Sequence, residues 1–171
     1  MLRMLPADRV EHQDGVKAMV AARAEWLGQR GLSAPDGIAE TLAGQVGEPG
    51  WPVWVLERDG VVAGCTTVLT ECPSWAFTEA ERAEPSLFLA STWTQPAEGA
   101  RLGHVIARWA LDHAARTGRL HVRRGAFQER LARYYCQVQG WTLLREVQRR
   151  DRTGYIMSRR AQRQPDLPVR G

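Results

Sequence analysis

Apolar positions along the chain follow a helical period in some stretches and a strand-like run or alternation in others, and the two kinds interleave. Leu2 to Met4 reads as a short strand, with Pro6-Ala7-Asp8 as a turn or helix entry. From His12 to Gln29 the positions Val16, Met19, Val20, Arg23, Trp26 and Leu27 keep helical spacing, and Gly28 and Gly31 end the pattern. A second helix is predicted over Pro35 to Gln45, with Ile38, Leu42 and Val46 as its apolar side and Gly47-Glu48-Pro49-Gly50 as the break. Trp51 to Arg58 and Val61 to Thr70 are strands, and the Asp59-Gly60 pair between them is a strong hairpin signal. Cys72 to Pro85 is a loop with room for one helical turn at Glu79 to Arg82. Then follow a strand at Ser86 to Thr94, a helix over 98–117, a strand over 119–124, a helix over 128–138, a strand over 141–149 and a last strand at Tyr155 to Ser158. Such interleaving predicts an α/β (α+β) chain with a mixed sheet of about six to seven strands flanked by four helices. The expected organisation is one domain over residues 1–160 and a flexible basic tail over 161–171, which carries Pro165 and Pro168.

The stretch TWTQPAEGARLGHVIARWALDHAARTG, Thr92 to Gly118, is the most informative. Gly99 and Gly103 bracket a helix start, and Leu102, Val105, Ile106, Trp109, Ala110 and His113 then repeat at helical spacing. The first turn of a helix carries N–H groups without intrahelical acceptors, at the positive end of the macrodipole. Glycines there let an anion approach the backbone, which makes the turn a candidate phosphate or pyrophosphate cradle. It has neither the Lys-Ser or Lys-Thr of a P-loop nor the G-x-G-x-x-G spacing of a dinucleotide turn.

The segment resembles the acyl-CoA loop of the GNAT superfamily of N-acyltransferases, where a strand and often a Pro precede Q/R-x-x-G-x-G/A at the start of a long helix. Pro96 falls on the family's Pro, and Glu98 to Gly103 (EGARLG) overlays the motif, with Gly103 matching its last position. Glu98 stands where Gln or Arg is usual, and Arg101 where Gly is usual. The likeness continues through Phe127 to Leu144, which resembles the family's short helix and last strand: Tyr134, Tyr135, Gly140 and Trp141 match, with one extra residue before Gly140, and Gln128 lies where Asn is common. WPVWVLERDGVVAGCTTVLTE resembles the family's first hairpin, so that the likeness spans about residues 2 to 158.

The resemblance implies an acetyl-CoA-dependent N-acetyltransferase, moving an acyl group directly to the primary amine of a small acceptor. The backbone around Thr92, Trp93 and Thr94 would pair with the pantetheine arm. Glu98, Gly99, Ala100, Arg101, Leu102, Gly103 and His104 would line the pyrophosphate, and Gln128 would add a further contact. Tyr135 would protonate the leaving thiolate, with Tyr134 as the alternative because of the extra residue; either ring could instead simply pack against Trp141. The general base is open: Glu84 is one candidate, Glu71 another, and a water chain would also serve. His104 and His121 are further titratable groups near the expected site. A catalytically silent acyl-CoA-binding or regulatory module of the same fold is the alternative reading.

Composition narrows the rest. The chain has 171 residues, 44% hydrophobic and 25% charged, with a net charge of +4. No apolar run reaches the roughly 18 residues of a membrane span, and the N-terminus lacks a signal-peptide core. Cys65, Cys72 and Cys136 are not spaced as metal ligands and read as reduced thiols, so no metal and a cytoplasmic location are expected. Lys17 is the only lysine, and asparagine is missing. Arginines concentrate at Arg145, Arg149, Arg150, Arg152, Arg159, Arg160 and Arg163, but no recognised nucleic-acid motif accompanies them. The expected partners are therefore acetyl-CoA and an amine, with no specific nucleic acid and no membrane; a homodimer is compatible. Trp51, Trp54, Trp75 and Trp93 are candidates to line an acceptor pocket.

Overall fold

The structure is a computed structural model that describes residues 1–96 and 99–170, with only the backbone described at Gly99 and Ala100. In chain order the elements are β1 (Leu2–Pro6), α1 (Arg9–Gln29), α2 (Ile38–Gln45), β2 (Val53–Arg58), β3 (Val61–Leu69), α3 (Glu79–Ala83), β4 (Ser86–Thr94), α4 (Gly99–Arg116), β5 (His121–Ala126), α5 (Glu129–Val138), β6 (Thr142–Arg149), β7 (Arg152–Arg160) and β8 (Val169–Arg170). Ladders link the strands in the order β6-β7-β5-β4-β3-β2-β1-β8. Parallel pairing at β4–β5 and β1–β8 and antiparallel pairing at β1–β2, β2–β3, β5–β7 and β6–β7 make the sheet mixed, as expected. Among the described residues there are eight strands and five helices, one more strand and one more helix than the upper expectation. No helix among the described residues is long and apolar enough to cross a membrane.

Contacts divide the chain into two compact units. The first comprises Met1–Val68, Ser91–Ile106 and Leu167–Gly171. Its core gathers Val16, Met19 and Val20 of α1, Ala39 and Leu42 of α2, Val46, Val53 and Val55 of β2, and Val62 and Cys65 of β3. The helix α1 begins three residues earlier than its apolar pattern predicts, because Asp8 caps it by accepting from the Glu11 N–H at 2.9 Å. The β2–β3 hairpin turns at Asp59 and Gly60, whose φ of 50° and 82° are the paired positive values that the Asp-Gly signal predicts. Gly64 lets the chain close tightly over β3: a Cβ there would lie 3.0 Å from Ile106 Cδ1 and 3.2 Å from the Trp93 carbonyl oxygen.

The second unit comprises Leu69–Ala90 and Ala107–Asp166. Cys72, Ala76, Phe77, Phe88 and Ile156 form a core cluster, with Leu69, Trp75 and Val147 packed against it. The predicted loop over 72–85 contains α3, whose capping box joins Thr78 and Glu81. β7 runs well beyond the predicted Tyr155 to Ser158, because Arg150 adopts φ 57° and turns β6 directly back on itself.

The tail expected to fray from Ala161 makes specific backbone bonds. Gln162 N–H donates to the Leu111 carbonyl at 3.2 Å, and Gln164 N–H donates to the buried Asp112 carboxylate at 2.7 Å. Within the first unit, Val169–Arg170 pairs parallel with Leu2 and Arg3.

Candidate functional site

In the first unit, the expected cofactor residues fall on the end of β4 and the start of α4. Thr94, the buried last residue of β4, is held by Arg23 of α1, which donates from Nε to its carbonyl and from Nη2 to its hydroxyl, both at 2.8 Å. Thr92 lies 3.0 Å, oxygen to oxygen, from the Thr66 hydroxyl, which also donates to the Ser91 carbonyl at 2.8 Å. Trp93, partly buried, packs against the apolar core of the unit. Gln95 N–H donates to the Ala63 carbonyl at 2.8 Å, so β4 stays attached to β3 up to the residue before Pro96.

Glu98 lies outside the described residues. The helix is described from Gly99. Leu102 and Ile106 are its inward anchors, 1% and 0% exposed, while Arg101 is exposed. A Cβ placed on Gly103 would meet nothing within 4 Å. In an α-helix the Gly103 N–H is engaged by the carbonyl four residues back, so its contribution to a cradle is the missing side chain rather than its amide. The unengaged amides belong to the residues before it. A positively polarised helix start with an exposed arginine on it suits a pyrophosphate. His104 is half-buried on the same helix.

The second unit holds Tyr134, Tyr135, Gln128 and Glu84. β5 carries arginines at two successive positions, which point to opposite faces. Both are buried: Arg123 is 2% and Arg124 5% exposed. On one face Arg123 donates to Glu84 Oε1 at 2.9 Å and to the Glu81 carbonyl at 2.6 Å, with its guanidinium 5.4 Å from the Phe77 ring centre. Glu84 also lies 3.2 Å from His121 Nε2. The hydrogen bond from Arg123 holds the Glu84 carboxyl below its ordinary range, with His121 adding to the effect. Glu84 is thus held as the ion-pair partner of Arg123, beside His121.

On the other face Arg124 donates from Nη2 to the Tyr135 phenolic oxygen at 3.0 Å, and its guanidinium lies 4.0 Å from the centre of that ring. Trp141 lies on the same cation at 5.4 Å. The Tyr134 ring centre is 6.1 Å from that of Tyr135. Tyr135 is thus both a packed ring, as one alternative held, and the one of the pair whose oxygen meets a buried cation. Gln128 is the exposed N-cap of α5, and its side chain makes no capping bond.

Sequence reasoning missed Arg23, Arg123 and Arg124. Two consecutive arginines in an otherwise apolar strand were the available signal, since a strand paired on both edges can bury both. The C-terminal arginines are largely spoken for inside the second unit. Arg145 pairs with Glu81 at 2.7 Å, Arg149 and Arg152 lie over the Trp75 and Phe127 rings, and Arg163 bonds Asp112 at 3.1 Å. All three cysteines are free, and burial pushes the Cys65 thiol up to about 12.

No family model and no curated protein matches the sequence. Solved structures do match along nearly the whole length. A GNAT-family acetyltransferase from Listeria monocytogenes superposes with a TM-score of 0.71 at 14% identity, covering 93% of this chain and 94% of that one. A Salmonella typhimurium structure with its cofactor acetyl-CoA gives 0.57 at 18% identity, covering 97% of each chain. An aminoglycoside 6'-acetyltransferase type Ii gives 0.63 at 13% identity, covering 95% of this chain and 99% of that one. The chain has the GNAT fold.

Proposed function

We propose that the protein is an acetyl-CoA-dependent N-acetyltransferase that moves an acetyl group directly to the amine of an acceptor. The observation that carries this reading is the start of α4, five residues after a strand end that Arg23 fixes and with open space at Gly103, in a fold shared with acetyltransferases. The cofactor would be held by the start of α4, with Arg101 available to a phosphate, and by the backbone of Thr92 to Thr94. In the reaction the amine nitrogen forms a bond to the thioester carbonyl carbon, the C–S bond breaks and the amine loses a proton. Positioning supplies much of the rate, because the thioester is already activated.

Tyr135 is proposed to give its phenolic proton to the departing sulfur and to regain one from water. Glu84 is not assigned as the base; a water chain remains the simplest route for the amine proton. Structures of this fold include both an aminoglycoside acetyltransferase and a complex bound to a peptide and CoA, at 13% and 11% identity, so the acceptor is assigned only as an amine.

Thermal melting with acetyl-CoA is the first test. Ligand at ~100 times its dissociation constant stabilises by about 2.7 kcal/mol. Melting that ignores acetyl-CoA contradicts the reading. CoA release with a panel of primary amines then distinguishes an enzyme from a silent binding module.

A further inference from the structure

Arg124 carries a charge that the fold does not need. It is 5% exposed, its Nε has no hydrogen-bond acceptor, and no carboxylate pairs with it among the described residues. A lone buried cation is costly, and an apolar side chain of similar length would fill the same space without that cost. Arg123, its neighbour on the other face, also leaves its Nε unbonded, but it has the Glu84 carboxylate and the Glu81 carbonyl. The acceptor that Arg124 does have is the Tyr135 oxygen, at 3.0 Å, on a ring that its guanidinium covers at 4.0 Å.

We propose that Arg124 is a positioning residue that sets the direction in which Tyr135 presents its proton and holds the charge left on its oxygen once the proton has gone. A guanidinium has donors and no acceptor. Its N–H therefore occupies a lone pair of the phenolic oxygen, and the hydroxyl proton must point elsewhere. After proton transfer the phenolate faces a buried cation across one hydrogen bond, where little water screens the attraction. The ring contacts with Tyr135 and Trp141 keep the guanidinium plane in place. This inference rests on the proposed role of Tyr135.

A double-mutant cycle tests it: the unchanged chain, Arg124→Met, Tyr135→Phe and the double variant. The assay is CoA release from acetyl-CoA with hydroxylamine, corrected for the rate without enzyme. Tyr135→Phe should lower kcat by roughly 10²–10⁴. Arg124→Met should lower it by about 10–100-fold, with KM for acetyl-CoA within about twofold, and Arg124→Lys should recover part of the loss. The double variant should lie within about twofold of Tyr135→Phe, because the two residues act through one oxygen. The melting temperature of Arg124→Met should not fall. Additive losses, or a lower melting temperature with equal losses in both backgrounds, would make Arg124 structural and overturn the inference. If Tyr135→Phe is impaired while Arg124→Met is not, only the inference fails. If Tyr135→Phe keeps full kcat, or the unchanged chain releases no CoA above background, the parent reading fails and takes the inference with it.

Discussion

Arg23 of α1 grips Thr94 at two oxygens, its Nε on the carbonyl and its Nη2 on the hydroxyl, each at 2.8 Å. The same guanidinium lies 4.7 Å from the Trp26 ring centre, so the anchor is braced on its own helix. This fixes where β4 stops and the turn to α4 begins. Arg23→Met keeps the length and removes the donors. Hydrogen bonds from a charged group contribute about 1.5–3 kcal/mol, and the Thr94 acceptors are left buried. Urea denaturation should show a loss of that size, and acetyl-CoA should bind more weakly. A variant of unchanged stability would show that the anchor contributes nothing to the fold.

Two glycines near this turn should answer oppositely to alanine. At Gly64 the new methyl meets Ile106 Cδ1 at 3.0 Å and the Trp93 carbonyl at 3.2 Å, so Gly64→Ala should cost about 1–3 kcal/mol. At Gly103 it meets nothing, and helix propensity favours alanine by up to ~1 kcal/mol. Thermal melting of the two variants should therefore move in opposite directions.

Much of the fold was legible where local signals were strong. Ser86 to Thr94 is the strand its apolar run predicts, α4 is helical from Gly99, where its description starts, and β6 begins one residue later than predicted. Asp59-Gly60 set the hairpin through backbone conformation alone. Other features had no local signal. β7 opens with Arg152-Thr153-Gly154, which carries no apolar period, and Arg150 makes its turn without glycine. β8 is two residues long and exists because β1 offers an edge. In the second unit, the place of Tyr135 before Gly140-Trp141 was legible as a helix ahead of a strand, and its role is a proposal. That Arg124 would reach its oxygen was not legible, because the contact depends on how α5 lies on β5. The partner of Glu84 was hidden for a similar reason: a surface carboxylate in sequence meets buried Arg123 in space.

Acid should loosen the second unit through Glu81. The hydrogen bond from Arg145, at 2.7 Å, lowers its pKa from 4.5 to about 2. A carboxyl with a depressed folded-state pKa binds protons more readily when unfolded. Its stabilisation is therefore complete above about pH 4.5 and is lost as the pH falls towards 2. Glu81→Gln should flatten that part of the stability curve while removing the ion pair at neutral pH. An unchanged acid slope in the variant would contradict the assignment.

The C-terminal residues should matter for stability. Burial raises the Asp112 carboxyl, but the Gln164 N–H, Arg163 and Arg116 outweigh it and leave the pKa lowered. Truncation after Ala161 removes two of these three partners, the Gln162 backbone bond and the β8 pairing. A loss of about 1–3 kcal/mol is expected, at roughly 2–4 °C of melting temperature per kcal/mol. An unchanged melting temperature would return the tail to the dispensable role that its composition suggests.

The most direct measurement of the central claim is calorimetric titration of acetyl-CoA into the unchanged chain and into Gly103→Glu. The substitution adds bulk and negative charge at a turn where a side chain meets no neighbour, so the melting temperature should hold. The account predicts saturable one-to-one binding that Gly103→Glu weakens at least about tenfold, or roughly 1.4 kcal/mol. Equal affinities in two equally folded chains, or no binding to either, would contradict it.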